Sequence, residues 1–307
     1  MLHQFDKIKI IKEVVVVSRR KKKKTSFDYL MIIVVMLFAL YMAVTNQSKA
    51  DEIELPLDSG VLEVHFIDVG QADSILIHCK SENALIDAGK SDSDKVLIPY
   101  FNKLGINKFK YVFGTHAHED HIGSMDDVIL NYDIGKFYMP DVMTTTKTFE
   151  NVLDALEKKE YYFDTPKIDE TFNVCNATLR VLYIGNDSSD LNSTSIVIRM
   201  DYGKNSFLFT GDATSEIEKK LLDKDIDVDV LKVAHHGSQY SSTLSFLKSV
   251  KPEYAVISVG EKNTYNHPSD TILRRLKVLN VETYRTDKNG TIIIGSDGNV
   301  LNIKTEK

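Results

Sequence analysis

The chain of 307 residues contains no Trp and only two cysteines, Cys79 and Cys175. So few thiols exclude a disulfide-framework fold and a Cys-rich zinc finger. Two buried thiols are the expectation for the pair, with a single disulfide as the alternative. Positive charge is also scarce outside one end. Residues 1–26 hold nine Lys and Arg against two Asp and Glu, leaving 29 against 42 for the rest, a net of −13. Such a body lacks the cationic field that phosphate backbones reward, which disfavours a general nucleic-acid binder. No strict internal repeat occurs, although two β-rich halves could be pseudo-symmetric. The one low-complexity tract is Lys21 to Lys24.

Long apolar runs are equally rare, and the exception is N-terminal. Residues 27–44 are apolar apart from Asp28 at the edge. That is about the ~17–25 residues needed to cross a bilayer core. Arg19, Arg20 and the Lys block stand just before it, so the positive-inside rule keeps residues 1–26 in the cytoplasm. The expected order is a basic tail (1–26), a single membrane anchor (27–45), a polar linker (46–60) and an extracytoplasmic domain (61–307). A signal peptide cleaved near Ala50, giving a secreted protein, is the alternative, since Ser48-Lys49-Ala50 resembles a small-residue cleavage site. A core helix is a third reading.

From Val61 the pattern becomes strand-rich. Leu62 to Val69 and Ser74 to Cys79 flank the turn Gly70-Gln71-Ala72-Asp73 and predict a hairpin. Asn83 to Gly89 predicts a third short strand, ending in a carboxylate and a glycine. Helices are then expected at 93–104, 121–131, 147–160, 214–223, 242–249 and 269–279. Strands are expected at 110–114, 178–184, 194–200, 206–210, 227–233, 254–259, 282–286, 290–294 and 300–304. Hairpins followed by βα alternation predict α/β layering with mixed sheets.

The densest chemistry lies in Thr115-His116-Ala117-His118-Glu119-Asp120-His121-Ile122-Gly123. Imidazole and carboxylate are ligands for zinc, with manganese or iron as alternatives. His116 and His118 are two apart, so in extended chain they leave on one face and grip one ion. Asp120 and His121 follow, where a turn into helix would aim them at a second. More polar residues end apolar strands: Asp87, Asp212, His235 and His236, with His267 soon after another. Strand ends at one rim of an α/β sheet are where functional residues gather. Taken alone, Asp212 reads equally as a helix N-cap. His65 and His78 read as ordinary, partly buried histidines, and Glu119 as outward-facing.

These stretches resemble the metallo-β-lactamase superfamily over roughly residues 61–304, and within it the hydrolase domain of ComEC-type competence proteins. The matching pieces are Phe66 to Asp73, Leu85 to Gly89, the histidine motif, Thr210-Gly211-Asp212, Val230 to Ser238, and Tyr265-Asn266-His267-Pro268. The resemblance implies a four-layer αββα sandwich and a two-metal hydrolase using a metal-bridging hydroxide. His116 and His118 would bind the first ion and Asp120 and His121 the second. Asp212 would bridge them, and His235 or His236 would complete the second site. Asp87 would orient the ligands from behind. Asp120 would steer the nucleophile, and His267 would stabilise developing charge or protonate the leaving group, a purely structural His beside Pro268 being the alternative. Asn192 and Ser238 are expected substrate contacts, Ser238 alternatively a helix cap. One departure stands out. Many members place a further histidine on the first ion, yet no His occurs from Ile122 to Gly211, and Asn192-Ser193-Thr194-Ser195 occupies that place. A looser first ion, or one ion alone, follows from it. The expected substrate is a phosphodiester, including DNA. The alternatives are another extracytoplasmic ester or amide, such as a phosphocholine ester or a lactam, and a non-catalytic binding module.

Overall fold

The computed structural model describes residues 61–80 and 82–307. The tail, anchor and linker expected over 1–60 lie outside the described residues. Among the described residues, no helix is long and apolar enough to cross a membrane.

Two mixed sheets carry the fold. The first contains β1 (Leu62–Phe66), β2 (Ile75–His78), β3 (Asn83–Ile86), β4 (Lys108–Phe113), β5 (Asp133–Tyr138) and β6 (Phe163–Asp164). The second contains β7 (Thr171–Val174), β8 (Ala177–Tyr183), β9 (Val197–Tyr202), β10 (Asn205–Phe209), β11 (Val230–Lys232), β12 (Tyr254–Ile257) and β13 (Glu282–Arg285). Finally β14 (Ile292–Ser296) and β15 (Leu301–Thr305) return to the first sheet, beside β1. The helices used below are α1 (Asp94–Lys103), α2 (Glu119–Ile122), α3 (Met125–Asn131), α4 (Lys147–Lys158), α5 (Ser215–Leu221), α6 (Leu244–Val250) and α7 (Asp270–Val278).

Strand alternation sorts the side chains into layers, because successive residues face opposite sides. Leu62, Val64 and Phe66 of β1 join Ile75 and Ile77 of β2 in a core that also holds Leu179, Ile198 and Phe207 of the second sheet. Leu76 and Leu85 face the other way, onto Leu97 and Phe101 of α1 and Val128 of α3. On the far side, Leu208 and Leu231 meet Ile217 of α5, Phe246 of α6 and Ile272 of α7. The order is therefore helix, sheet, sheet, helix. Each buried Leu, Ile or Phe contributes ~1.5–3 kcal/mol relative to exposure, so a charge left in these layers needs a reason.

Both sheets share one plan. Strands β1 to β3 are antiparallel, then β3 to β6 run parallel. In the second sheet β7 to β10 are antiparallel, then β10 to β13 run parallel. The switch strands are β3 and β10. Asp87 follows β3 and Asp212 follows β10, while the histidine motif and the His235-His236 pair follow the neighbouring parallel strands. Ligands bind where sheets of this kind change direction.

Several expectations are corrected. The helix expected at 121–131 is broken into α2 and α3 at Gly123-Ser124. A Cβ on Gly123 would lie 2.3 Å from the Lys90 carbonyl carbon, so only glycine lets α2 press on that loop. Strands β5, β6 and β7 carry no strong sequence signal; β5 contains Gly135, and its burial does not alternate. The two thiols are not free: Cys79 and Cys175 form a disulfide with Cα atoms 5.8 Å apart. Cys175 and Asn176 form the two-residue β7–β8 turn, both at positive φ (53° and 62°). That turn carries Cys175 to the end of β2, where it ties the two sheets together. Asp212 is not a helix cap either, since Thr214 holds that position for α5.

Candidate metal centre

The histidine motif begins where β4 ends, and Asp87 organises it. Asp87 sits at φ 61°, a left-handed conformation that Asp tolerates better than most residues. Its Oδ1 accepts the Thr115 backbone N–H at 2.7 Å. Its Oδ2 accepts the Thr115 hydroxyl and the His121 Nδ1–H, each at 2.8 Å. Because Nδ1 donates to Asp87, His121 keeps a free lone pair on Nε2, as a metal ligand requires.

The other groups converge on that nitrogen. His121 Nε2 lies 3.3 Å from Asp212 Oδ1. His236 Nε2 lies 3.4 Å from Asp120 Oδ2 and 3.8 Å from Asp212 Oδ1. His116 Nε2 and His118 Nδ1 are 3.0 Å apart, beside His121. Yet His121 Nε2, His236 Nε2 and Asp212 Oδ1 are buried without a hydrogen-bond partner. Buried polar atoms are nearly always satisfied, so three orphans facing one another point to a cation between them. Among the described residues three overlapping groups have the reach to hold one: His116, His121 and Asp212; Asp120, His121 and His236; and, behind them, Asp73, Asp87 and His121. His121 thus stands nearer the middle of the cluster than its expected place on the second ion alone.

Charge tells the same story. Burial by itself would lower the pKa of His236, but Asp212 and Asp73 raise it to about 10. Burial raises the carboxyls of Asp120 and Asp212, and the surrounding histidines more than reverse it, holding both below the usual range. The pocket is thus built for anionic carboxylates around positive charge. His116 is the exception: burial and the charge of His121 hold it well below its ordinary value, so it stays neutral and able to ligate.

The turn that carries His235 and His236 sends their rings to different places. Both have left-handed φ (52° and 51°), a strained pair of the kind concentrated at functional sites. Gly237 follows at φ 83°, its missing Cβ leaving room for Pro268. The turn buries His236, whose Nδ1–H donates to Ser258 O at 2.9 Å, and aims Nε2 inward. His235 also lines the cavity, but is less buried, with Nε2 3.6 Å from Asp212 Oδ2.

Two charged residues with no assigned role in the sequence reading stand behind this cluster. Asp73 and Lys232 are each 1 % exposed, with Lys232 Nζ 2.6 Å from Asp73 Oδ2. Asp73 Oδ1 lies 3.4 Å from His236 Nδ1. Burial raises the Asp73 carboxyl, but Lys232 and His236 hold it below the usual range. The signal was a lysine inside the apolar run Val230 to Ala234.

The site opens into a cavity of about 480 Å³, lined by Asp120, Asp212, the histidines 118, 235, 236 and 267, and by Asn192. Gln71, Lys90, Glu119 and Tyr265 complete it. Asn192 lies in a tight turn over Leu191–Thr194, with Oδ1 buried and unpartnered. His267 is neutral, lowered to about 4 by burial and then by His235 and His236. Ser238, expected at the substrate, is instead buried outside the cavity lining, its Oγ accepting the Tyr240 N–H at 3.4 Å. Glu119 is exposed, as expected, and its Oε1 accepts the Ser91 N–H and hydroxyl, each at 2.9 Å. His65 and His78 are fully rather than partly buried, away from this cavity.

Residues 67–261 match the metallo-beta-lactamase superfamily. ComE operon protein 3 of Bacillus subtilis is 31% identical over 251 residues, covering 75% of this chain and 32% of that protein. Competence protein ComA of Neisseria gonorrhoeae is 27% identical over 232 residues, covering 74% and 31%. The chain spans about a third of the length of these relatives. Among solved structures, the metallo-beta-lactamase fold protein YhfI from Bacillus subtilis aligns with a TM-score of 0.53 at 12% identity, over 76% of this chain and 99% of that one. This last likeness concerns the fold alone. The chain belongs to the metallo-beta-lactamase superfamily, as a metallohydrolase-fold relative of competence proteins.

Proposed function

We propose that this protein is a membrane-anchored hydrolase that cleaves phosphodiesters outside the cytoplasm, nucleic acid among them. The carrying observation is the set of buried, unpartnered atoms His121 Nε2, His236 Nε2 and Asp212 Oδ1, with His236 and Asp212 lining an open cavity. His116, His118, Asp120, His121, Asp212 and His236 would hold two divalent ions, zinc foremost. When bound, such ions supply Lewis acidity toward a phosphoryl oxygen and a nucleophile at neutral pH. Asp120 orients the attacking water. His267, neutral and at the cavity wall, offers a hydrogen bond to charge developing on the leaving oxygen. Asn192, in the place of the absent histidine, is left to contact substrate. The relatives named for competence support nucleic acid, while the −13 body argues for a short contact with it rather than a long phosphate track.

The basic block and apolar run over 19–45 support the anchor and its orientation. The Cys79–Cys175 disulfide supports an oxidising compartment. The test joins metal analysis of the full chain to a substrate panel: a bis-nitrophenyl phosphate, a single-stranded oligonucleotide, a phosphocholine ester and a lactam. Phosphodiester turnover lost in Asp212→Ala and His118→Ala is the expected result. Full activity in both variants would sink the site, and turnover confined to the lactam or choline ester would sink the substrate class. Oligonucleotide binding should weaken as salt rises, with a slope set by the phosphates contacted. Protease added to intact spheroplasts should remove residues 61–307; their protection would refute the orientation.

A further inference from the structure

Tyr265 is a large aromatic side chain left 66% exposed at the wall of the metal cavity. Its ring is not adrift. It stacks on His267 with centroids 5.8 Å apart and planes 28° from parallel. The loop beneath is pinned by Asn263, which donates to Gly260 O at 2.9 Å and His267 O at 2.7 Å, and accepts the His267 N–H at 2.9 Å. Gly260 is tied in turn to Gln71, whose Oε1 accepts its N–H at 3.0 Å. Beside Gln71, a Cβ on Gly70 would stand 4.0 Å from Lys90 Cε. Among the described residues Lys90 is the one Lys or Arg lining the cavity, and its partner Asp92 is an exposed carboxylate 3.5 Å away.

We propose that Tyr265 and Lys90 form a recognition subsite for a nucleoside phosphodiester, with the base stacked on Tyr265 and Lys90 drawing in the phosphate. An aromatic plane held in advance gives stacking with little ordering entropy, and every base has a π-face. A choline headgroup also suits an aromatic ring, but it would share this cavity with the ammonium of Lys90, so an uncharged ring is favoured. The inference rests on the phosphodiester reading and narrows it to diesters carrying a base.

The test uses the metal-loaded full chain and two chromogenic diesters with the same leaving group, thymidine 5′-(4-nitrophenyl phosphate) and methyl 4-nitrophenyl phosphate. The wild type should prefer the thymidine diester. In Tyr265→Ala the ratio of the two kcat/KM values should fall by roughly 5- to 150-fold, the loss of one stacked base, and mainly through KM. Tyr265→Phe should restore the ratio. Lys90→Met should raise KM for both diesters. An unchanged ratio in Tyr265→Ala, or failure of the Phe variant to restore it, overturns the subsite while leaving phosphodiester hydrolysis standing. Wild-type protein that cleaves neither diester overturns the phosphodiester reading itself. A preference for 4-nitrophenylphosphocholine that depends on Tyr265 replaces the base by choline.

Discussion

Replacing Lys232 by Met should be among the most damaging single substitutions away from the metal ligands. Lys232 and Asp73 are each 1 % exposed and 2.6 Å apart. Methionine fills much of the lysine stem's volume, so packing is largely kept and the charge alone is lost. The Asp73 carboxylate is then stranded in the interior. Removing one partner of a buried pair costs about 3–5 kcal/mol. For a domain of this size each kcal/mol moves the melting temperature by about 2–4 °C, so a fall of roughly 6–20 °C is expected. Added salt should not mimic it, because a buried pair is poorly screened. The paired substitution Asp73→Asn with Lys232→Met removes both charges and should recover most of the loss. It should not recover metal affinity in full, because the Asp73 charge, with Oδ1 3.4 Å from His236 Nδ1, acts on the ring that Ser258 O holds. Thermal melts with and without added zinc, beside calorimetric zinc titration, separate the two effects. The reasoning fails if Lys232→Met melts within about 2 °C of the wild type. It fails too if the paired variant is no more stable than the single one.

Asp87→Asn keeps the shape of the residue but weakens its hold on the His121 Nδ1–H, and should weaken zinc binding by ~10–100-fold; unchanged affinity would remove Asp87 from the site's support. The Cys79–Cys175 bond closes a separation of 96 residues, so Cys79→Ser should cost about 4–5 kcal/mol and reductant should reproduce the loss. Two free thiols in the unfolded, unreduced chain would refute the bond. Burial holds His65 below the 6.5 of an ordinary imidazole, although Glu63 pulls upward. With the folded pKa lowered, the unfolded chain binds the proton first, so stability is lost as pH falls below 6.5 toward the folded value. An NMR titration showing His65 protonated at or above 6.5 would contradict this.

Much of the fold was legible in local pattern. The β1–β2 hairpin, β3 and most helices showed their period, and the mixed layering followed from their order. What failed was local for a reason. Strand β5 owes its place to the parallel strands on either side of it, not to its own alternation. The break between α2 and α3 depends on how closely the Lys90 loop passes Gly123, which no window of sequence contains. In the candidate site, the gathering of His116, His118, Asp120 and His121 was visible because all four lie within six residues of chain. Ser238 misled because a polar residue after a histidine pair reads the same whether it turns to the cavity or away.

The sequence by itself determined the ligand types, their placement at strand ends, the acidic body and the basic, apolar N-terminus. These depend on residue identity and short-range periodicity. Tertiary structure decided which histidine of the His235-His236 pair faces inward, because two left-handed residues aim the rings apart. It also joined Cys79 to Cys175, set Lys232 against Asp73 and placed Tyr265 at the cavity wall. Each of these pairings spans a long stretch of chain or a change of sheet. They follow from strand order and from the switch at β3 and β10, which bring distant carboxylates and imidazoles to one rim.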